Sequence, residues 1–224
     1  MGRVCDMKIM IEGVGTRYFT PNQIVLNFNF VTKGNSYDEV LQKGSSNVEL
    51  FIDGILLPND FTKQDLKTRN FIIKEETKYN SETNNYEFEC FSYNQVASLK
   101  FDYDKKKLSK LMENIATLIN PPIYQISFEL KNLEEVKKEV LKYAYDDAFT
   151  QAQTIADAAS KKLIGCSKVN FKPFDSKYVS ESNLGYGLMS EAKMIRSVSE
   201  VIANTFTPED IKITEKLYCL WIAE

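Results

Sequence analysis

The run NLEEVKKEVLKYAYDDAFTQAQTIADAASKKL, residues 132–163, carries the longest helical pattern in the chain. Its apolar stripe is Leu133, Val136, Val140, Ala144, Ala148, Ala152, Ile155 or Ala156, Ala159 and Leu163, a three-and-four spacing that collects side chains on one helix face. Asn132 stands where an N-cap belongs, Glu134 and Glu135 suit a first turn, and Gly165 is placed to end the helix. Thirty-two helical residues span roughly 48 Å. Within the stripe, Ala144, Ala148, Ala152 and Ala156 recur at strict four-residue intervals, so another element can come close to the helix backbone. That neighbour is either part of the same protomer or a second subunit.

Outward from this helix the chain follows the other period. In residues 23–33, QIVLNFNFVTK, Ile24, Leu26, Phe28 and Phe30 point one way, while Val25, Asn27, Asn29 and Val31 point the other. Ahead of it, Lys8 to Glu12 reads as a short strand whose end is loosened by Gly13-Val14-Gly15. Ser36 with Glu39 forms a capping box for a helix from Tyr37 to Leu56, stopped by Pro58-Asn59-Asp60. Residues 66–79 and Tyr86 to Tyr103 read as a hairpin joined by the polar turn Asn80–Asn85. A helix from Asp104 to Leu118 carries Leu108, Leu111, Met112, Ile115 and Leu118, and Ile123 to Leu130 is a strand. After the long helix come a strand at Ser167–Phe171, a loop over 172–190, a helix near 191–203 and a closing strand, Ile211–Ile222. The fold class is α+β, in the order β-β-α-β-β-α-β-α(long)-β-loop-β, an antiparallel sheet packed by helices. The expected organisation is one unit over 1–222, divisible into a lobe of 7–64 plus part of 65–103 and a lobe of 104–224.

Composition excludes whole classes of chemistry. The 224 residues contain no histidine, which removes imidazole bases, Ser–His–Asp and Cys–His arrangements and histidine metal ligands. The net charge of −3 supplies no field for a phosphate backbone, so no nucleic-acid partner is expected. Cys5, Cys90, Cys166 and Cys219 are too widely spaced for a zinc knuckle and read as reduced thiols. No apolar stretch approaches the 18 residues of a membrane span, and the N-terminus lacks a secretory h-region, so the expected location is cytoplasmic.

Each motif that could carry chemistry has a simpler reading. Gly13-Val14-Gly15-Thr16-Arg17-Tyr18 resembles the start of a dinucleotide loop, but it closes on Tyr18 and leads into a strand. The carboxylate pairs Glu75-Glu76, Glu134-Glu135 and Asp146-Asp147 are sequence neighbours, whereas acid–base work needs carboxylates converging from separate elements. Lys105-Lys106-Lys107 and Lys161-Lys162 read as solvated charge. No catalytic residue, metal ligand or cofactor site emerges. The loop 172–190 remains, with Tyr178, Gly185, Tyr186 and Gly187, as a candidate binding loop for a small ligand or peptide.

The order of these features resembles the SIMPL domain family. Ile11-Glu12-Gly13-Val14-Gly15 is similar to the family's strand ending in G-x-G, and Asp65-Leu66-Lys67-Thr68 to its D-I-x-T before the hairpin. Pro21-Asn22 before the alternating strand, Asn47 in the first helix and Tyr93-Asn94-Gln95 in the return strand also fit. So do the alanine-rich helix and Thr207-Pro208-Glu209-Asp210-Ile211-Lys212-Ile213. Glycines often found in the family near Phe91 and Pro208 are missing, the loop 172–204 matches poorly, and the periplasmic signal of bacterial members is absent. The resemblance implies an α+β fold, no established catalytic residues, a link to stress defence in some members, and a tendency of some members to form large ring or channel-like oligomers. The expectation is therefore a non-catalytic, self-assembling homo-oligomer with a stress-related or partner-binding role.

Overall fold

The computed structural model describes residues 6–174 and 207–224. In chain order the strands are β1 (Met7–Phe19), β2 (Gln23–Gly34), β3 (Leu66–Asn80), β4 (Asn85–Asp102), β5 (Ile123–Glu129), β6 (Leu163–Asn170) and β7 (Ile211–Ala223). The helices are α1 (Tyr37–Phe51), α2 (Lys105–Ala116) and α3 (Leu133–Ala158). The fold is α+β, in the element order read from the sequence.

The chain divides into two compact units, but not at the lobe boundary expected near residue 103. Described residues 6–20, 132–174 and 210–224 form one unit, and 21–131 with 207–209 the other. Strand pairing is the cause. β1 runs antiparallel to β7 from Met7↔Ala223 to Phe19↔Ile211, so the two ends of the chain belong to one sheet, ordered β1-β7-β6.

In this first unit α3 lies on the three-stranded sheet. Val140, Ala144, Ala148, Ala152 and Ala156 are its buried residues, and the four alanines share a core with Ile9, Ile11, Leu217, Cys219, Trp221 and Ala223. Trp221 is covered by Tyr145 and Phe149, whose ring centroids lie 5.5 and 5.6 Å away. β1 is longer than the Lys8–Glu12 segment because Gly13 and Gly15 occupy inward positions in mid-strand. A Cβ on Gly13 would stand 2.0 Å from the Ala144 carbonyl oxygen, and one on Gly15 2.2 Å from that of Val140. Glycine on the strand and alanine on the helix together let the two backbones touch. α3 is also shorter than 132–163. It is closed by Ser160 at φ 53°, with the Lys161 N–H donating to the Ala156 carbonyl at 2.9 Å. Gly165 instead lies inside β6, because Lys162 and Glu224 exchange two backbone hydrogen bonds that draw the chain into the sheet. Asn132 sits at the N-cap position but makes no side-chain cap.

The second unit is a four-stranded antiparallel sheet ordered β3-β4-β2-β5. Ile24, Leu26, Phe28 and Phe30 of β2 are buried in one core with Val40, Val48 and Phe51 of α1 and Leu108, Leu111 and Ile115 of α2. Ser36 Oγ accepts the Glu39 N–H at the start of α1, and Glu39 reaches back to the Asn35 N–H. The regular helix stops at Phe51 rather than Leu56, since Ile52–Leu56 widen into a π turn before Asp60 closes it at φ 60°. Buried Asn59 ties this end to α2, donating to the Ile55 carbonyl and accepting from Asn114. Asp104 caps α2 by accepting the Lys106 and Lys107 N–H groups, which explains a lysine run at a positive helix end.

Candidate functional site

The β3–β4 hairpin outgrows the sheet that holds it. β2 and β4 pair from Gln23↔Asp102 as far as Gly34↔Phe91, while β4 continues outward to Asn85, paired only with β3. Alternation sorts this arm into two faces. Tyr86 and Phe88 of β4 and Tyr79 of β3 share the face that farther down carries Phe91, Ile73 and Tyr93 into the core. Phe88 and Phe91 are three residues apart and would normally point oppositely. The register shift between Glu76 and Thr77 leaves Glu89 unmatched and brings their rings together at 5.2 Å. An aromatic row results: Phe71 on Tyr93 at 5.1 Å, Phe88 on Phe91, and Tyr79 on Tyr86 at 5.4 Å.

The helices cover only the inner part of this row. Tyr86 is 74% exposed, Phe88 52% and Tyr79 49%. The opposite face is polar and internally satisfied. Glu76 takes Ser92 Oγ at 2.9 Å and pairs with Lys74 at 3.1 Å, and Glu87 accepts from Asn80 and Thr83. These hydrogen bonds hold the Glu76 and Glu87 carboxyls below their ordinary range. One face of the arm is thus suited to water, and the other is an uncovered aromatic row interrupted on β3 by exposed Glu75 and Thr77.

A groove of about 840 Å³ lies at the other side of the same sheet. It is bounded by the end of β2, by Asn47, Leu50 and Phe51 of α1, and by residues 117–123 between α2 and β5. β5 pairs with β2 only from Gln23↔Glu129 to Asn29↔Ile123, so Phe30–Gly34 have no strand on that edge among the described residues. Exposed Leu50, Ile119 and Ile123 rim the groove.

The residues singled out in the sequence lie elsewhere. Ala144, Ala148, Ala152 and Ala156 are fully buried in the first unit, facing β1 and β7. Tyr178, Gly185, Tyr186, Gly187 and the 191–203 helix lie outside the described residues. Asp147 accepts the Val14 N–H at 2.9 Å and Gln151 Nε2 at 2.8 Å, fastening strand to helix. Glu134 pairs with Lys137 at 3.1 Å. Every carboxyl with a resolved shift among the described residues moves downward, through ordinary hydrogen-bonded partners: Glu12 with Lys216, Glu39 with Lys43, Asp65 with Thr62, and Glu76 and Glu87 as above. A general acid needs the opposite displacement. Cys90, Cys166 and Cys219 are free thiols, and burial beside Cys166 pushes the Cys219 thiol up to about 12. No described helix is long and apolar enough to cross a membrane.

The aromatic arm was missed because each stretch of it looks like ordinary strand. The usable signal was Tyr86-Glu87-Phe88-Glu89 alternating where β2 has no residues left to pair.

The architecture is that of a two-unit α+β protein whose distinctive surface is an aromatic hairpin face. The chain belongs to the SIMPL family, "Protein of unknown function (DUF541)", whose model matches residues 9–218. No curated protein matches the sequence.

Proposed function

We propose that the chain is a non-catalytic protein that assembles into a homo-oligomer through its β3–β4 arm. The observation that carries this reading is the aromatic face of Tyr79, Tyr86 and Phe88, continuous with a core yet uncovered. Such a surface gains free energy by being buried, at roughly 25 cal/mol per Å² of apolar area, and the charged opposite face limits the contact to one side. A partner-binding or stress-related role, which the family resemblance suggests, would be exercised by the assembled form.

Light scattering across a concentration series tests the assembly. The chain should exceed its 25.7 kDa single-copy mass, and Tyr86→Ser with Phe88→Ser should shift it toward that mass. A parent chain that stays at 25.7 kDa to high micromolar concentration overturns the proposal.

A further inference from the structure

We infer that two copies of the chain exchange arms, each arm entering the vacant strand position beside β2 of the other. The inference rests on the assembly reading and names the receiving surface. β2 is paired along its whole length by β4, but β5 stops at Asn29↔Ile123 and leaves the five residues Phe30–Gly34 with one open edge among the described residues. At the same end of the sheet, β4 projects six residues, Asn85–Cys90, past its last pairing with β2, and there it uses only its β3 edge. The sheet therefore has a projection on one side and a notch of matching length on the other. At ~3.3 Å per residue they measure about 20 and about 17 Å.

A half-turn about an axis perpendicular to the sheet, placed just beyond Gly34 in line with β2, relates the two features. It sets β2 of a second copy in line with β2 of the first. The order β3-β4-β2-β5 is reversed by the rotation, so the β4 arm of each copy falls in the column that β5 of the other leaves vacant. The arm then runs parallel to the receiving β2, completing its open edge with backbone hydrogen bonds. The same rotation keeps the helices of both copies on one side. Tyr86 and Phe88 are accordingly presented toward Leu50, Phe51 and Ile119, while Glu87 turns to the other face. A two-fold contact of this kind fills both notches and closes on itself.

The test uses the full chain with a blocked arm, Tyr86→Lys, and a blocked notch, Ile119→Glu. These side chains are 74% and 95% exposed, so each variant should keep the parent's far-ultraviolet circular dichroism, which is recorded first. By light scattering the parent mass should be an even multiple of 25.7 kDa, and each variant alone should fall at least twofold. An equimolar mixture should recover the parent mass, since one arm and notch are unaltered and the other pair sets Lys against Glu. If Tyr86→Lys dissociates the assembly and Ile119→Glu does not, the arm associates but does not enter the notch, and this inference fails while the assembly reading stands. Two dissociated variants that do not recombine overturn it equally. A parent chain at single-copy mass removes both.

Discussion

Replacing Gly13 by Ala places one methyl group where β1 and α3 already touch. The added carbon would stand 2.0 Å from the Ala144 carbonyl oxygen and 2.8 Å from the Ala148 Cβ. Neither neighbour is the end of a flexible side chain, so strand and helix must separate along a packed seam. Overpacking of this kind costs roughly 1–3 kcal/mol, and the backbone contact puts Gly13→Ala at the upper end. With a urea m-value of about 2 kcal/mol/M, the unfolding midpoint should drop by about 1–1.5 M. Trp221 is the single tryptophan of the chain and lies in the same core, so its fluorescence reports this unit. Gly165→Ala is the control, since a Cβ there meets nothing within 4 Å and the unfolding free energy should stay within about 0.5 kcal/mol of the parent or rise. A Gly13→Ala midpoint indistinguishable from that control would refute the close-contact argument.

Four further outcomes follow from the same geometry. Ala148→Leu should lower the Trp221-monitored unfolding free energy by roughly 1–3 kcal/mol without changing the scattering mass, because the alanine ladder faces β1 and β7 of its own chain; a loss of mass with unchanged stability would make it a subunit seam. Cys219, its thiol pushed up to about 12, should resist iodoacetamide at pH 8 in the folded chain and react once urea exposes Trp221; rapid labelling at Cys219 itself, located by peptide mass mapping, contradicts that burial. The Glu12 carboxyl is lowered chiefly by its hydrogen bond with Lys216, so its contribution is present above the ordinary carboxylate pKa and lost as pH falls through the lowered value. Glu12→Gln should thus flatten the decline in stability on acidification, by well under about 1 kcal/mol at this exposed pair, and a steeper decline would reverse the sign. Asp104→Ala should weaken α2 by about 1 kcal/mol, seen as a lower thermal midpoint in far-ultraviolet circular dichroism, and an unchanged midpoint would mean the cap is replaced by water.

What the sequence determined by itself was local and periodic. The two-residue period of 23–33 marked the buried face of β2, the three-and-four period of 132–163 marked the buried stripe of α3, and Ser36, Asp60 and Asp104 marked helix ends. Histidine content, charge and cysteine spacing likewise needed no coordinates. Tertiary structure decided everything that depends on distant segments meeting. Gly13 and Gly15 read as the end of a strand until α3 was laid across them, because a glycine's neighbour in space leaves no trace in the residues beside it. The division into units escaped a linear reading because β1 and β7 are joined by hydrogen bonds between the two ends of the chain. The aromatic arm became visible only through the lengths of its neighbours. Tyr86 and Phe88 form a surface because the hairpin runs on past the end of β2 at Gly34 and past the helices that cover its inner part.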